Sequence, residues 1–246
     1  MAREKHKVTL TEQQRIIAEQ KKVIAEQSAT IANHANTIRV KDKLYLDADK
    51  TLRSLLQLLT KLVELRDPYT KGHSQKVSAI AIKIAKHRSV SFPADKLPVL
   101  EYGALLHDIG KIVVSDFVLS KPTLLTEAEI VMIRQHTIMG HKLLVPLDFD
   151  PMLAEIALYH HENYDGSGYP SGLKGSDIPL AARIVRVADV YDALISNRPY
   201  RSAYAKQEAI RIMEKEKAHF DPAIFDALQD IIVLEKKTDA SKSKAG

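Results

Sequence analysis

The sequence predicts an all-α fold in which a long N-terminal coiled-coil helix precedes a helical bundle. Apolar side chains recur at helical spacing along most of the chain, signals for β-strands are essentially absent, and cap residues and prolines mark the helix boundaries. With 246 residues and 45% apolar content, the chain has room for one domain with a core of ordinary size, plus an extension.

A seven-residue repeat dominates the first 64 residues. An apolar side chain recurs at Ile17, Ile24, Ile31, Ile38, Tyr45, Leu52 and Leu59. This period keeps one seam of a helix facing a partner helix. The second seam position, three residues further on, is polar until residue 48, so the coil should be weak by itself. We predict that residues 1–64 form a long helix that dimerises as a signalling segment, with a solvated single helix or a frayed tail as the alternative.

The next helices are predicted from their apolar faces and their caps. One runs from about Pro68 to His87, and another starts at about Ala94 and ends with His107 and Asp108. A capping box from Thr126 to Glu129 opens a third helix, which carries His136.

The remaining helices of the bundle open at Asp-Pro pairs. Asp150 and Asp221 each precede a proline, a pattern typical of a helix start. The resulting helices lead to His160 and to Leu228, respectively. Loops are predicted for 115–121 and 166–172. The predicted bundle domain covers 65–234, and 235–246 is predicted to be a basic flexible tail.

The composition argues against several classes of protein. No cysteine is present, so neither disulfides nor thiolate metal sites are possible. No uncharged apolar stretch reaches 18 residues and the N-terminus lacks the apolar core of a signal peptide, which favours a cytoplasmic protein without a membrane span.

The basic pI of about 9.1 does not favour nucleic-acid binding once the charges are located. Residues 1–50 hold ten Lys and Arg against seven Asp and Glu, residues 235–246 hold four against two, and residues 51–234 hold 22 of each sign. The predicted domain therefore offers no overall positive field for a long polyanion.

Seven side chains with metal-binding chemistry are spread through the predicted bundle. They are His73, His107, Asp108, His136, His160, His161 and Asp189. Adjacent helical positions point about 100° apart, so the pair at 107 and 108 suits a site where the histidine serves one ion and the carboxylate bridges two. A lone histidine is more often structural, but seven such residues are harder to assign to packing. Nitrogen and oxygen donors of this kind accept Mn, Fe, Ni, Zn or Mg, and metal-assisted hydrolysis is the chemistry that they indicate.

Six ordered segments follow one another between residues 66 and 201. They read RDPYTKGHS from Arg66, HDIGK from His107, HHENYDGSGYP from His160, RIVRVAD from Arg183, DAL from Asp192 and RPYR from Arg198. Together they resemble the HD-GYP family of bacterial metal-dependent phosphohydrolases, which degrade cyclic di-GMP. The HD doublet alone would imply only the wider HD superfamily, and the HHENYDGSGYP segment narrows the assignment.

The resemblance implies an HD-type helical bundle and a ligand set for two ions. One ion would be bound by His73, His107, Asp108 and Asp189, and a second by Asp108, His136, His160 and His161. Iron or manganese is favoured by the resemblance, with Mg, Ni or Zn as alternatives.

Three positions depart from the family pattern. Members that take a third metal have a glutamate four residues before the first histidine, where this chain has Tyr69. A phenol is a poor ligand unless it is ionised, and its ordinary pKa is about 10, so a dinuclear site is expected. Asn163 stands where many family members have a basic residue, and Lys217 stands where they often have a glycine. Neither position belongs to the implied ligand set, so these departures bear on substrate preference more than on catalysis.

Further residues are given roles by the same resemblance. The catalytic residues would be Asp108 and Lys111. Independently of the resemblance, Asp192 lies three residues beyond Asp189 on the same helical face, which predicts that it orients a ligating histidine, and Asp67 is a similar candidate. The substrate-binding residues would be Lys111, Tyr169, Arg198 and Arg201. For Lys111 and the two arginines the alternative is a solvated surface position.

The predicted function is hydrolysis of cyclic di-GMP to linear pGpG, GMP or both. The alternatives are a phosphohydrolase for another cyclic dinucleotide or nucleotide, and a non-catalytic regulatory module. The coil predicts a homodimer, and an upstream sensor or a GGDEF-type protein is the predicted partner.

Overall fold

The computed structural model describes residues 2–67, 71–121, 123–197 and 201–242, with the backbone alone for residues 2–11 and 237–242. Within these ranges the predicted all-α class is confirmed: the regular elements are α-helices and short 3-10 turns, without a β-strand. The helices are α1 (Ala2–Glu64), α2 (His73–Ala85), α3 (Leu97–Leu106), α4 (Asp116–Leu119), α5 (Glu127–Leu144), α6 (Pro151–Tyr159), α7 (Leu180–Ile195), α8 (Lys206–Lys215) and α9 (Pro222–Lys242). The 3-10 turns are Ala94–Lys96, Ile109–Val113, Val145–Leu147, Gly175–Asp177 and Lys217–His219.

The chain divides into two compact units, residues 1–53 and residues 54–246. The first unit is helical along its described length, and its apolar seam is open to solvent: Ile24, Ile31 and Ile38 are 61%, 68% and 59% exposed. The second unit includes the last turns of α1, because Leu56 and Val63 are buried there.

The core of the second unit is built from the apolar faces of α2, α3, α6, α7 and α9. Val77, Leu100, Ile156 and Ile184 are completely buried and belong to one cluster with Leu228. Complete burial of side chains of this size stabilises a fold by roughly 1.5–3 kcal/mol each. This core fixes the relative positions of α2, α3, α6 and α7, four of the helices that carry the candidate ligands.

A close backbone approach sets the distance between the turn after Asp108 and α5. A Cβ atom at Gly110 would lie 1.9 Å from the carbonyl oxygen of His136, far inside van der Waals contact. Only glycine permits this approach. The sequence around residue 110 therefore places Asp108 beside His136.

The predicted caps are present. The Thr126 hydroxyl accepts the backbone N–H of Glu129, whose carboxylate in turn accepts the backbone N–H of Thr126. Asp150 accepts the N–H of Met152 at 3.0 Å, and Asp221 accepts the N–H of Ala223 at 2.9 Å.

Four boundaries differ from the sequence-based expectation. Helix α2 begins at His73 because Gly72 has a left-handed φ of 70°, and the predicted start at Pro68 lies outside the described residues. The helix predicted from Ala94 is divided into a 3-10 turn and α3, so that His107 follows the last helical residue. The segment 115–121 contains the short helix α4, and α9 continues through part of the predicted tail to Lys242.

Candidate metal centre

Five helices deliver the seven candidate ligands to one place. His73 is the first residue of α2, His107 caps the C-terminus of α3, and His136 lies within α5. His160 caps the C-terminus of α6 with His161 directly after it, and Asp189 lies within α7. Their side chains meet around Asp108, which follows His107.

Asp108 is common to two groups of potential ligand atoms. One group contains His73, His107 and Asp108, and the other contains Asp108, His136, His160 and His161; within each group the ligand atoms lie within 4.8 Å of one another. The Oδ2 atom of Asp108 is 3.4 Å from Nε2 of His107, and its Oδ1 atom is 3.3 Å from Nε2 of His136. One carboxylate thus faces both groups.

Asp189 lies between the two groups. Its Oδ1 atom is 3.0 Å from Nε2 of His73, and its Oδ2 atom is 4.0 Å from Nδ1 of His161.

Hydrogen bonds through Nδ1 orient four of the histidines, and in three of them they also fix the tautomer. Nδ1 of His107 donates to the carbonyl oxygen of Ala104 and Nδ1 of His136 donates to that of Ile133, both at 2.7 Å. Nδ1 of His160 donates to two carbonyl oxygens of α6, at 3.0 and 3.1 Å. Since a carbonyl oxygen can only accept, the proton must be on Nδ1, and Nε2 keeps its lone pair.

Asp192 plays the same part for His73. Its Oδ2 atom accepts from Nδ1 of His73 at 2.7 Å, and its side chain is completely buried one turn beyond Asp189. Such a hydrogen bond on the far nitrogen is typical of histidines that bind metals.

The electrostatics of the centre keep three histidines neutral. Burial lowers the pKa of His160 to about 3, with a smaller contribution from the imidazoles of His107 and His136. Burial also lowers the pKa of His136 and that of His161. Neutral imidazole is the form that binds metal ions.

The carboxylates of the centre stay ionised. Burial by itself would raise the pKa of Asp108, but the charge of Lys111 and the contacts with His107 outweigh it and hold the pKa well below its usual range. Burial would likewise raise the pKa of Asp189, but the hydrogen bond from His73 and the neighbouring imidazoles lower it, and the net shift is well below the usual range. In return, the carboxylates outweigh the effect of burial on His73 and raise its pKa to about 9.

This donor set fits divalent metal ions. The lone pairs of Nε2 of His136 and His160 face each other across 3.3 Å, and both atoms face Asp108 at 3.3 and 3.9 Å. Neutral imidazole nitrogens that converge on an ionised carboxylate are the arrangement expected of nitrogen and oxygen ligands.

Lys111 points into the centre between two carboxylates. Its Nζ atom is 2.9 Å from Oδ2 of Asp108 and 3.0 Å from Oδ2 of Asp67. Burial lowers the pKa of Lys111, but the two carboxylates outweigh this and the net shift is upward. The ammonium group therefore remains charged beside the candidate ligands.

The predicted substrate-binding residues have different surroundings. The ring of Tyr169 stacks on His161 with centroids 4.8 Å apart, and burial raises the pKa of its phenol. Arg201 donates to the carbonyl oxygens of Ala193 and Leu194 at 2.8 and 3.1 Å, at the end of α7. Arg198 and Tyr69 lie outside the described residues.

A cavity of about 380 Å³ opens onto the centre. Its lining includes the candidate ligands His73, Asp108, His161 and Asp189, together with Lys111 and Arg201. Its volume falls in the usual range for small-molecule sites.

Two residues at the site were missed by the sequence analysis. Arg186 lines the same cavity, and its place one turn before Asp189 on α7 was a readable signal, since residues three apart share a helical face. Glu64, at the end of α1, accepts the backbone N–H groups of Gly72 and Ser74 at 2.7 and 3.0 Å. No sequence signal links Glu64 to the residues on either side of His73.

Comparisons with known proteins agree with this architecture. The sequence model of the HD domain family matches residues 57–224. The cyclic di-GMP phosphodiesterase response regulator RpfG of Xanthomonas campestris pv. campestris (strain 8004) is 41% identical over 185 residues, which cover 74% of this chain and 48% of that protein. The 3′3′-cGAMP-specific phosphodiesterase 3 of Vibrio cholerae serotype O1 is 40% identical over 188 residues, covering 76% of this chain and 40% of that protein.

A solved structure has a related fold. Bd1817, an HDG"Y"P protein from Bdellovibrio bacteriovorus, superposes with a TM-score of 0.53 at 25% identity, over 65% of this chain and 51% of that one. The chain spans about half the length, or less, of the curated relatives named above.

The fold and the site define a helical-bundle protein with a buried His/Asp centre suited to divalent metal ions. The chain belongs to the HD domain family, and the predicted resemblance to its HD-GYP members is confirmed by the curated relatives. None of the helices in the described ranges is both long and apolar enough to cross a membrane.

Proposed function

We propose that this chain is a dinuclear metal-dependent phosphodiesterase that hydrolyses cyclic di-GMP to linear pGpG, GMP or both. The observation that carries the proposal is the convergence of four Nδ1-anchored histidines on two carboxylates, with Asp108 common to both groups of ligand atoms. The likeness to curated cyclic dinucleotide phosphodiesterases at 40–41% identity supports it.

The ligands divide between two ions in this proposal. His73, His107, Asp108 and Asp189 would hold one, and Asp108, His136, His160 and His161 the other. Two bound divalent ions supply Lewis-acid activation of water and neutralisation of phosphate charge. Iron or manganese is the proposed metal, with Mg, Ni and Zn as the alternatives.

The protein's own groups do the positioning. Asp192 holds His73 through Nδ1, and the backbone carbonyls of α3, α5 and α6 hold the other three anchored histidines. Because these contacts are buried, the ligand atoms are held in place before substrate arrives, and little reorganisation is needed during the reaction.

Lys111 contributes charge rather than a proton. Since its pKa is raised by Asp108 and Asp67, it stays an ammonium group at neutral pH. An ammonium group there stabilises negative charge that develops on the phosphate oxygens. Asp67 holds Lys111 in this position.

The substrate contacts proposed from the sequence are Lys111, Tyr169, Arg198 and Arg201. Tyr169 keeps a neutral phenol, able to donate a hydrogen bond, because burial raises its pKa. Arg201 lines the cavity, and its guanidinium N–H groups donate to carbonyl oxygens at the end of α7. It would therefore act as a cation in a fixed position on the cavity wall.

A second candidate substrate is 3′,3′-cyclic GMP-AMP. The 40% identity to a phosphodiesterase specific for this nucleotide favours it. The metal centre acts on a phosphodiester and does not read the base, so the choice between the two substrates depends on the walls of the cavity.

The long helix α1 is proposed to join two copies of the chain. Its seam residues Ile24, Ile31 and Ile38 are exposed in the single chain and follow the seven-residue repeat. A dimer of this kind could relay a signal from an upstream sensor or a GGDEF-type partner in the cytoplasm.

The test is anaerobic incubation of the protein with cyclic di-GMP and, separately, with 3′,3′-cyclic GMP-AMP under a panel of Fe, Mn, Mg, Ni and Zn. Products are resolved by chromatography, and the His107→Ala/Asp108→Ala double variant serves as the control. Formation of pGpG or GMP by the wild type alone supports the proposal, and the most active metal identifies the ion.

Two results would count against it. If only the cyclic GMP-AMP is cleaved, the substrate is the second candidate. A wild-type protein that binds its metals but cleaves neither nucleotide would instead point to a regulatory module.

A further inference from the structure

Arg186 is a half-buried cation on the wall of the cavity that contains the candidate ligands. It lies one turn before Asp189 on α7, and it lines the cavity together with His161 and Asp189. It belongs to neither group of ligand atoms.

The hydrogen bonds of Arg186 leave its charge without a close counterion. Its Nε and Nη2 atoms both donate to Oδ1 of Asn163, at 3.1 and 2.7 Å. This acceptor is neutral. Over the part of the chain that the structure describes, no carboxylate lies within 4.0 Å of Arg186.

Two cations near Arg186 are paired with carboxylates, whereas Arg201, on the same cavity, donates to backbone carbonyl oxygens. Arg183, one turn earlier on the same helix, forms an ion pair with Asp221. Lys111, which also lines the cavity, contacts both Asp67 and Asp108. Among the described residues that line the cavity, Arg186 and Arg201 are thus the cations without an ion pair, and Arg186 is the one held by a neutral side chain and not by backbone carbonyls.

The physical consequence is an affinity for an anion. Burial lowers the pKa of Arg186 and the nearby charge of Asp189 opposes that shift, yet a guanidinium remains protonated in proteins. A partly desolvated cation is costly unless an anion pairs with it. The planar guanidinium is well suited to phosphate oxygens.

We propose that Arg186 binds the phosphodiester that is not cleaved. The inference rests on the proposed function, in which the reacting phosphate lies at Asp108 and the substrate is a ring with two phosphodiesters. A cation on the cavity wall outside the ligand set is available to the second of them. Arg186 is then a substrate-binding residue that selects cyclic dinucleotides over simple phosphodiesters.

A purely structural role for Arg186 would act through Asn163. The amide of Asn163 donates to the Ser167 hydroxyl at 2.9 Å, which in turn donates to Asp165 at 2.7 Å. Arg186 thus also supports the loop that carries Tyr169. Removal of the Asn163 side chain distinguishes loop support from phosphate binding. It breaks the link between Arg186 and the loop, but it leaves the charge of Arg186 in place.

The test compares Arg186→Met, Asn163→Ala and Arg211→Met with the wild type. Arg211 is an exposed arginine on α8 paired with Glu208, so its replacement controls for the loss of one positive charge. Each protein is loaded with the same metal and assayed on cyclic di-GMP and on bis(p-nitrophenyl) phosphate, which carries one phosphodiester and no second phosphate.

For Arg186→Met we expect kcat/KM on cyclic di-GMP to fall about 10- to 100-fold, mainly through KM, as expected for one lost charge-assisted hydrogen bond. Its activity on bis(p-nitrophenyl) phosphate should stay within about twofold of the wild type. Asn163→Ala should lower kcat/KM on both substrates by the same factor, which should be smaller than the loss of Arg186→Met on cyclic di-GMP. Arg211→Met should leave kcat/KM unchanged on both.

Four results would overturn the inference. Equal losses on the two substrates, or matching losses for Arg186→Met and Asn163→Ala, would assign Arg186 to loop support. If the wild type hydrolyses cyclic di-GMP and Arg186→Met has the same kcat/KM, the inference is refuted and the proposed function is not. Absence of wild-type turnover on cyclic di-GMP, with bis(p-nitrophenyl) phosphate still cleaved, would refute the proposed function as well.

Discussion

Asp192 holds His73 in an orientation that points Nε2 at Asp189 in the candidate centre. The two side chains are joined at 2.7 Å and Asp192 is completely buried. Hydrogen bonds of this type fix both the tautomer and the angle of the ring, and their removal typically weakens metal binding about 10- to 100-fold.

We therefore expect Asp192→Ala to lower metal affinity by about 10- to 100-fold, while Asp192→Asn, which keeps an acceptor oxygen, should retain more of it. Metal titration with elemental analysis of the purified variants measures both effects. Equal metal content in the wild type and the alanine variant would show that His73 is held by other contacts.

For single residues on α7, the sequence identified which side chains have suitable chemistry better than it identified what they contact. Asp192 was expected to orient a ligating histidine from its spacing of three residues after Asp189. The same spacing on the other side leads to Arg186, which was not identified. A pattern along one helix shows which residues share a face, but it does not show which of them meets a cavity.

At the scale of the elements, the centre depends on how closely the turn after Asp108 approaches α5. A Cβ at Gly110 would lie 1.9 Å from the carbonyl oxygen of His136 and 2.5 Å from the backbone nitrogen of Gly140. Backbone atoms cannot move aside as a flexible side chain can. The helix that carries one ligand would have to shift away from the turn that carries another.

We expect Gly110→Ala to lower both thermal stability and metal content. Gly103→Ala is the matched control, because its Cβ would meet the flexible Cδ1 atom of Ile156 at 2.4 Å, which a rotamer change can relieve. Calorimetry and metal analysis of the two variants measure the difference. Equal stability and equal metal content in both would contradict the close approach.

The start of α5 is stabilised by a charged capping box. Hydrogen bonds from Lys121 and from the backbone N–H of Thr126 lower the pKa of Glu129 from 4.5 to about 2. A carboxyl whose pKa is lower in the folded state contributes stability that is complete above its unfolded pKa of 4.5 and is lost as the pH falls towards about 2.

Glu129→Gln should therefore lower the midpoint of thermal unfolding at pH 7, and the gap to the wild type should close between pH 4.5 and about 2. Thermal denaturation followed by circular dichroism across this pH range measures the gap. Glu127→Gln, in the same first turn, controls for the charge of the helix N-terminus. A gap independent of pH would rule out the contribution of the ionised carboxylate.

On the scale of the whole molecule, the exposed apolar seam of α1 is the reason for proposing a dimer. Ile31 is 68% exposed in the single chain, and Ala29, which is also exposed, lies outside both seam positions of the repeat. A charge at a seam position disrupts the apolar contact between two helices, while the same charge on the outer face does not.

We expect the wild type and Ala29→Asp to be dimers and Ile31→Asp to dissociate at the same protein concentration. Light scattering coupled to gel filtration measures the mass of each. Deletion of residues 1–48 should also give a monomer, and a change in its rate of cyclic di-GMP hydrolysis would support a signalling role for the coil. An unchanged oligomeric state and an unchanged rate after this deletion would exclude both roles.

The sequence by itself determined the helical class, most of the helix starts and the chemistry of the candidate ligands. These depend on local patterns: the spacing of apolar residues, the cap residues at Thr126 and Asp150, and the His and Asp doublets. Boundaries set by a single backbone conformation, such as the left-handed Gly72 before α2, could not be read from periodicity.

Only the tertiary structure decided how the ligands meet. Asp108 faces histidines from α2, α3 and α6 because a shared core fixes those helices, and one from α5 because the turn at Gly110 packs closely against it. Arg186 lines the cavity because α7 packs with the face of Asp189 towards it. Such contacts join residues that are far apart in the chain, so they follow from the packing of whole helices and not from any local pattern.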